Sequence, residues 1–559
     1  MATATPWVTG GSETTVSFGF TQQKQGRIHN DMQGINKLPA ELLSRIFVIG
    51  EASDRSTRPR MRYYTGFQEV VTRVCYRWRE VAIGCPILWT YIHITRPSLY
   101  RLASLYLQRA GPSSLLDIDL ELRTRFWRVL DIDSSDWETQ LDKVPHLLRF
   151  LISRGATVDR WRSLTVCAKQ PDVLYAIIGF INARPARSLQ LFSCRWKYWR
   201  HDLEGDEEER SLSYPHLFSE SFSFSSSMMP KLRSVELNAL PWEYVFNRSP
   251  NYPLLTKLTN LTLTSAYIPC EPRDLQNLLV SNPELEHLSL NISKQAATAF
   301  EGIDPEPGTF RVRLSKLHSL SLSTGGYTGW VASMLPVIEA PALRRFSVSG
   351  DFVLLLSGLN LAQYIMGGKL PLQYDTLDDD PGTQNNTAAY PLLDELDISM
   401  LTVMTELLLD MLASLPTVTK LHVSSWHVKQ LKSTPGILPN LAHLYCTRMS
   451  YGHLGELLRN RMDAGFPIGT VHIDRIGLEE VGWLLPEEVE YSEYYPEWAY
   501  ELDCDESDQG SIDGWEDEDI LERSSNGELR VMSDDVYESS DEESLSTSTP
   551  ESEGTVAND

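Results

Sequence analysis

A six-residue apolar pattern recurs along most of the chain. In each copy an apolar residue is followed by two variable positions, a second apolar residue, one variable position and a third apolar residue, as in Leu285, Leu288 and Leu290. Apolar residues that alternate with polar ones are typical of a β-strand with one buried face. The pattern therefore predicts a series of short strands. Its copies begin at Trp89, Leu115, Trp161, Ala186, Leu232, Leu258, Leu285, Leu317, Leu343, Leu393, Val418, Leu441 and Ile468.

The spacing of these copies is nearly regular. Most successive starts lie close to 26 residues apart, and the longest gaps, 46 and 50 residues, are close to twice that. Proline often stands two residues before a copy, and helical apolar runs precede several of them, as at 275–279, 331–338 and 404–415. Proline ends a helix and favours an extended segment. A period in the twenties indicates units that bury their apolar faces only against their neighbours. These prolines are Pro230, Pro283, Pro341, Pro391, Pro416 and Pro439.

This pattern resembles leucine-rich repeats, which implies an α/β fold in which helix–strand units stack into a solenoid. The match is incomplete, because the Asn or Cys that such repeats usually carry three residues after the third apolar position is absent. Leu240, Ala266 and Ser293 occupy that position in three copies. We therefore expect irregular coils.

The variable residue between the second and third apolar positions should point away from the core, because successive strand residues face opposite sides. In the fourth copy the pattern assigns Ala186, Leu189 and Leu191 to the core. The outward positions would form a row that could bind a target protein, with Trp242, Trp330 and Trp426 just beyond it. An equally weighted alternative is that these tryptophans cap the repeat core. The predicted row consists of Glu236, Thr262, Ser289, Ser321, Ser347, Asp397, His422, Tyr445 and His472.

Residues 38–94 carry a helical pattern. After Pro39, apolar residues at Leu42, Leu43, Ile46 and Phe47 fall on one face of a helix. A second helical stripe follows, and the two short helices cannot bury these side chains alone. Either they form a helical cap on the larger core, or a partner protein covers them. The second stripe consists of Val70, Val71, Val74, Cys75, Trp78, Val81 and Ala82.

The order of three motifs favours the partner. Leu38-Pro39-x-Glu41-Leu42-Leu43-x-x-Ile46-Phe47, then Val74-Cys75-x-x-Trp78-Arg79-x-x-Ala82, then Pro86-x-Leu88-Trp89 resemble the F-box of fungal F-box proteins. A polar insertion at 51–62 lengthens the gap between the first two motifs; loop insertions cost little free energy. The resemblance implies docking on a Skp-type linker subunit through Leu38, Pro39, Leu42, Leu43, Ile46, Phe47, Val74, Trp78, Leu88 and Trp89.

F-box proteins with leucine-rich repeats are substrate receptors of SCF ubiquitin ligases. The resemblance therefore implies a non-catalytic adaptor in the ubiquitin (Ubl) conjugation pathway, which binds the Skp subunit, through it a cullin, and an unknown target protein. One alternative is an F-box scaffold outside ubiquitination whose acidic tail binds basic proteins. Another is an enzyme with a site hidden among irregular repeats, which would require a deep pocket with clustered His and carboxylate groups.

The charge of the chain is concentrated at one end. The formal net charge is −25, but residues 487–559 hold 26 Asp or Glu against two Arg, which leaves 49 acidic and 48 basic residues in the rest. We expect four parts: a disordered leader (1–34), an F-box domain (35–95), a leucine-rich-repeat-like solenoid (96–485) and an acidic, Ser-rich disordered tail (486–559). Polar inserts at 200–227 and 372–390 should be surface loops.

Other classes of function find little support in the sequence. The body has no basic, aromatic array for nucleic acid, and the chain has no apolar run of about twenty residues that would span a membrane. Seven cysteines without a Cys-x-x-Cys pair indicate a reducing compartment, the cytoplasm or nucleus. No nucleotide or nucleophile motif is present. We expect no cofactor, no metal site and no catalytic residue; His422, His427 and the later histidines are more simply explained as surface residues of the repeats.

Overall fold

The computed structural model describes residues 32–57, 66–123, 126–127, 137–168, 170–196, 228–238, 255–265, 271–292, 311–324, 328–351, 355–367, 389–447, 451–474, 486 and 489–494. Most of the predicted leader, the two predicted inserts, Trp242 and nearly all of the acidic tail lie outside these residues.

Short β-strands follow one another along the described chain, one at each predicted copy of the apolar pattern and four more, at 312–313, 338–339, 401–402 and 490–494, that were not predicted. They are β1 (Tyr91–Ile94), β2 (Leu116–Leu122), β3 (Trp161–Ala168), β4 (Leu191–Trp196), β5 (Ser234–Asn238), β6 (Asn260–Ser265), β7 (His287–Ile292), β8 (Val312–Arg313), β9 (Ser319–Thr324), β10 (Ile338–Glu339), β11 (Arg345–Asp351), β12 (Glu395–Asp397), β13 (Leu401–Thr402), β14 (Lys420–Ser424), β15 (His443–Thr447), β16 (Thr470–Asp474) and β17 (Glu490–Tyr494).

Helices occupy the N-terminal region and many of the segments between strands. They are α1 (Ala40–Thr57), α2 (Phe67–Val74), α3 (Tyr76–Ile83), α4 (Tyr100–Ala110), α5 (Trp137–Ser153), α6 (Pro171–Asn182), α7 (Pro272–Ser281), α8 (Thr328–Met334), α9 (Leu355–Gly367), α10 (Thr405–Ala413), α11 (Ser425–Leu431) and α12 (Tyr451–Asp463). α1 continues to Thr57, so the first half of the predicted polar insertion is helical and not a loop.

The strands form one large parallel sheet in the order of the sequence. From β1 to β17 each strand pairs with its neighbours in the chain, except that β8 and β10 form a separate pair and β13 pairs only with β11. Parallel strands need a crossover between them, and helices such as α9 and α10, or α11 and α12, contact each other in these crossovers. The α/β class, with a parallel sheet and helices, is therefore confirmed.

The register of the sheet places equivalent apolar positions beside each other. Leu288 of β7 lies opposite Leu261 of β6 and Leu320 of β9. All three are buried, as are the residues two positions further along each strand. One continuous hydrophobic core consequently runs from Leu43 to Val489 through the described residues.

The strand register predicted for the fourth copy of the pattern is wrong. Phe192 and Cys194 of β4 lie opposite Leu164 and Val166 of β3, and both are buried. Leu191, assigned to the core, is instead on the outward face and 37 % exposed. The triad that matches the neighbouring strands is Leu189, Phe192 and Cys194, three residues later than predicted. Because side chains alternate along a strand, a slip by an odd number of residues exchanges the two faces.

The Asn or Cys of regular leucine-rich repeats is absent, but other polar side chains form hydrogen bonds between neighbouring units. The buried Asn282 side chain accepts a hydrogen bond from the Leu258 backbone N–H (2.8 Å) and donates to the carbonyls of Leu255 and Leu278 (2.8 and 2.9 Å). Near the other end, the Arg461 guanidinium donates to the backbone carbonyls of residues 437, 438 and 466. Such bonds satisfy buried backbone groups between successive units.

Asn282→Ala should strongly destabilise the protein. It removes three hydrogen bonds and leaves buried backbone groups unpaired, at a cost of about 2–4 kcal/mol in the free energy of unfolding. The matched control is Asn440→Ala, since exposed Asn440 donates a single bond to the Pro416 carbonyl. Chemical denaturation measures both. An Asn282 variant as stable as the Asn440 variant would contradict the bridging role.

Candidate functional site

Helix α1 has two apolar stripes. Leu43 and Phe47 are fully buried in the core of the chain. Leu42, Ile46 and Ile49 lie on the other side and are 48, 41 and 59 % exposed. Spacings of four and three residues align these three side chains along the helix. One stripe therefore holds the helix to the protein, and the other is uncovered.

The neighbouring helices α2 and α3 also carry exposed apolar side chains. Both contact α1 and each other. Val74 is 51 % exposed, while Val71 and Ala82 on the same two helices are buried. Large exposed apolar side chains are normal when scattered singly, but a concentration of them indicates an interaction site. The exposed apolar patch consists of Leu42, Ile46, Ile49, Val70, Val74, Tyr76, Ile83 and Ile87.

Four residues predicted to touch the partner are buried within the chain. Leu43, Phe47, Leu88 and Trp89 are at most 1 % exposed. The Trp89 Nε1–H donates to the Ala82 carbonyl at 2.7 Å, and its ring lies beside Tyr106 of α4. These side chains join the helical region to the first strands, so they are not available to a partner.

The remaining predicted docking residues lie at the surface or at its edge. Leu42, Ile46 and Val74 are exposed, Pro39 is exposed and Leu38 is half-buried. Half-buried Trp78 packs on Phe47 at 5.0 Å between ring centroids and donates from Nε1 to the Asn36 Oδ1 at 2.6 Å. Ile49, Tyr76, Ile83 and Ile87 were not predicted for this surface, because apolar periodicity alone does not show that these side chains are exposed.

A buried ion-pair cluster ties α1 to the sheet. The Asp117 carboxylate, 5 % exposed on β2, accepts hydrogen bonds from Arg55 at the end of α1 (2.9 Å), from Arg162 (2.9 and 2.5 Å) and from the Ser163 hydroxyl (2.8 Å). Burial alone would raise the pKa of Asp117, but the hydrogen bonds from Arg162 and Arg55 outweigh it and lower the pKa. The cluster was not predicted, because it joins residues 45 and 62 positions apart.

The predicted outward residues form one row across the sheet. Thr262 lies opposite Ser289, Ser289 opposite Ser321, and the pairing continues strand by strand. Each is half-buried, on the face opposite the apolar core. The row also includes residues that were not predicted from the sequence. Ser193 is one of them, because the register predicted for β4 was wrong. The outward row consists of His93, Asp119, Thr165, Ser193, Glu236, Thr262, Ser289, Ser321, Ser347, Asp397, His422, Tyr445, His472 and Ser492.

An ion pair and hydrogen bonds hold two charged members of the outward row, Glu236 and Asp397. Glu236 accepts two hydrogen bonds from Arg195 (2.7 and 2.8 Å) and one from the Ser193 hydroxyl (2.9 Å). Asp397 accepts from the Ser347 hydroxyl at 3.1 Å and from the Ser399 hydroxyl at 2.8 Å. A partner at these positions would meet charges that already have partners.

Glu395, two positions before Asp397, belongs to the same polar surface. It accepts from Arg345 at 2.9 Å and contacts the His422 Nε2 at 3.1 Å. Burial would raise the pKa of Glu395, but the hydrogen bond to His422 and the charge of Arg345 outweigh it and lower the pKa to about 2. Glu395 therefore stays ionised at neutral pH and holds His422 in place.

Between these charged positions the outward row carries only hydroxyl side chains. Thr262, Ser289, Ser321 and Ser347 succeed one another from β6 to β11. They are small and uncharged, so they leave room above the sheet for a partner side chain.

The predicted flanking tryptophans differ from each other. Trp330 on α8 is 1 % exposed and belongs to the core, so it is not part of a target surface. Trp426 on α11 is half-buried and packs edge-on against His427 at 4.9 Å. The core-capping alternative thus holds for Trp330.

The described residues contain no group of three or more His, Cys, Asp or Glu side chains arranged to hold a metal ion. Among the helices described, none is both long enough and apolar enough to cross a bilayer. Comparison with protein-family models found no match to this chain, and comparison with curated proteins found none either.

His427 closes the N-terminus of α11 and is 1 % exposed. The Ser424 backbone N–H donates to its Nδ1 at 3.3 Å, in a capping box with the Ser424 side chain. Burial lowers the pKa of His427 to about 4. Protonation of Nδ1 would abolish the bond from the Ser424 N–H, so the folded state requires the neutral ring.

The free energy of unfolding should fall as the pH drops from about 6.5 towards 4. The unfolded chain takes up a proton on His427 before the folded chain does, and this difference amounts to about 3 kcal/mol at most. Denaturation midpoints across this pH range measure it. His427→Gln should have a smaller acid dependence, whereas His318→Gln, at an exposed position on the strand side, should retain that of the wild type. Equal acid dependence in all three proteins would contradict this assignment.

Proposed function

We propose that this protein is a substrate-recognition adaptor of an SCF-type ubiquitin ligase. Residues 35–95 would act as an F-box that docks on a Skp-type linker subunit, and the sheet from 96 to 485 would act as a leucine-rich-repeat-like solenoid that binds a target protein. A cullin would join through the linker subunit. On this proposal the protein works in the cytoplasm, the nucleus or both.

The single observation that carries the proposal is the uncovered second stripe of α1, with the rest of the exposed apolar patch around it. Each apolar side chain of this kind contributes about 1.5–3 kcal/mol when a partner buries it. Leu42, Ile46, Ile49 and Val74 together supply enough to offset the entropic cost of association. The patch lies on the helices that carry the F-box-like motifs, which supports a linker subunit as the occupant.

The outward row supports the second half of the proposal. It runs along the fourteen strands that pair in sequence order from β1 to β17, and each of them contributes one side chain at the same level. A surface of this kind can contact a folded partner over many strands, with affinity concentrated in a few large residues. We expect the target to contact the row most closely at Tyr445 and at the hydroxyl segment, which is the run of hydroxyl side chains that includes Ser289 and Ser321.

Catalysis would then come from proximity. The adaptor holds the target near a ubiquitin-conjugating enzyme bound elsewhere in the complex, so that a bimolecular reaction becomes effectively intramolecular. No acid, base or nucleophile of this chain takes part. The ion-pair cluster at Asp117 supports this role, because it holds the docking helix α1 in a defined orientation to the sheet.

Leu42→Asp combined with Val74→Asp should abolish binding to the Skp-type subunit. Both side chains are about half exposed, so the changes place charge in the interface without disturbing the core. Binding of the purified subunit, measured by calorimetry, should weaken at least a hundredfold, with the melting temperature nearly unchanged.

Val280→Asp with Leu392→Asp is the matched control, because these side chains are exposed to a similar degree far along the chain. This variant should bind as the wild type does. Undiminished binding by the Leu42/Val74 variant would remove the assigned docking surface. If the subunit binds but no cullin co-purifies, the protein is an F-box scaffold outside ubiquitination.

Ser289→Arg combined with Ser321→Arg should release the target while the Skp-type subunit stays bound. Two long charged side chains would fill the space above the hydroxyl segment. Quantitative mass spectrometry of co-purified proteins compares this variant with the wild type and with Glu406→Arg/Asp410→Arg on the exposed side of α10. A target lost from both variants, or from neither, would argue against the outward row as its binding surface.

A further inference from the structure

Three aromatic rings stack across adjacent strands near the C-terminal end of the described sheet. His422, Tyr445 and His472 lie opposite one another on β14, β15 and β16. The His422 and Tyr445 rings are 4.2 Å apart with an angle of 6°, and the Tyr445 and His472 rings are 4.1 Å apart with an angle of 8°. Parallel strands are about 4.8 Å apart, so neighbouring rings in register are brought into face-to-face contact.

Hydrogen bonds hold both ends of this ring stack. On one side the His422 Nε2 contacts Glu395 at 3.1 Å. On the other, the His472 Nδ1 lies 2.5 Å from the Ser492 hydroxyl of β17. The His472 Nε2 is shielded from solvent and has no hydrogen-bond partner among the described residues. A doubly protonated His472 would therefore need an acceptor for its Nε2–H that the described structure does not offer.

The neighbouring histidine side chains also oppose a second proton on His472. His443, one row away, has its ring centroid 6.0 Å from that of His472. Burial lowers the pKa of His472, and the neighbouring His443 and His422 lower it further, against a smaller opposing effect of Glu490.

More distant charges on the same face balance one another. Lys420 stands beside His443 on the adjacent row. Asp397 stands beside His422 at the end of the stack, already bonded to Ser347 and Ser399. Arg345 is paired with Glu395.

We propose that the ring stack of His422, Tyr445 and His472 is a pH-sensitive element that loosens strands β14–β17 when the surroundings become acidic. In the neutral state the rings pack together and Ser492 holds His472. A proton on His472 places a cation against Tyr445 and near two further histidines, without an acceptor for its second N–H. The open form of this region, in which His472 reaches water, is then favoured.

The direction of the effect follows from linkage. The closed form binds a proton on His472 less readily than the open form, so the stability of the closed form is fully present above the ordinary histidine pKa and falls as the pH drops below it. Acidification would thus change the part of the outward row that carries Tyr445. The inference concerns the chain alone and does not depend on the proposed adaptor function.

Hydrogen–deuterium exchange of the full chain at about pH 8 and about pH 5.5 tests this. After correction for intrinsic exchange rates, the amide protection of 443–447 and 470–474 in the wild type should fall severalfold at the lower pH, because the open form takes up a proton on His472 more readily than the closed form does. In His472→Gln this pH dependence should be markedly smaller, because glutamine can still bond to Ser492 but takes up no proton. The part that remains is the acid dependence that His427 gives the folded chain.

Two further variants complete the test. His287→Gln alters a histidine on the same face at β7, away from the stack, and should keep the wild-type behaviour at β15 and β16. His443→Gln should reduce the pH dependence without abolishing it, because it removes one neighbouring imidazole. It also serves as the second readout if His472→Gln fails to fold.

Either of two results would overturn the proposal. One is equal protection of β15 and β16 at both pH values in the wild type. The other is a pH dependence that is unchanged in both His472→Gln and His443→Gln.

Discussion

The in-register alignment of parallel strands is the constraint on which the rest of this structure depends. Each strand is too short to be stable alone, and its apolar residues are buried only because equivalent residues lie on both neighbours. Leu261, Leu288 and Leu320 show this directly. Because side chains alternate, the same alignment that builds the core also arranges the polar residues between them into a continuous outward row.

The helical N-terminal region depends on this core as well. Leu43, Phe47, Leu88 and Trp89 extend the sheet's hydrophobic core into the helical region, and the ion-pair cluster at Asp117 adds a polar connection. These contacts leave the adjacent stripe of α1 uncovered. The two roles weighed from the sequence, helical cap and docking module, are therefore compatible: one stripe caps the core, and the other is free for a partner on the proposed function.

The outward row is chemically uneven along the sheet. Ion pairs dominate near Glu236 and Glu395, small hydroxyl groups lie between them, and stacked rings follow at Tyr445. The regular alternation of side chains along the strands has thus produced a surface whose chemistry differs from one part of the sheet to another. We infer that recognition of a target would depend on which part of the row it contacts.

Much of the fold could be predicted from the sequence because it follows from local periodicity. The apolar triads located most of the strands, the prolines marked the ends of helices, and both led to an α/β protein of repeated helix–strand units. Periodicity also assigned nine members of the outward row, from Glu236 to His472. Only tertiary structure decided which of two adjacent apolar stripes on α1 faces the core, since Leu42 and Leu43 have the same helical spacing and differ only in what packs against them. The register of β4, the burial of Trp330 and the pairing of Arg55 with Asp117 were likewise settled by neighbours distant in sequence, and no local pattern carries that information.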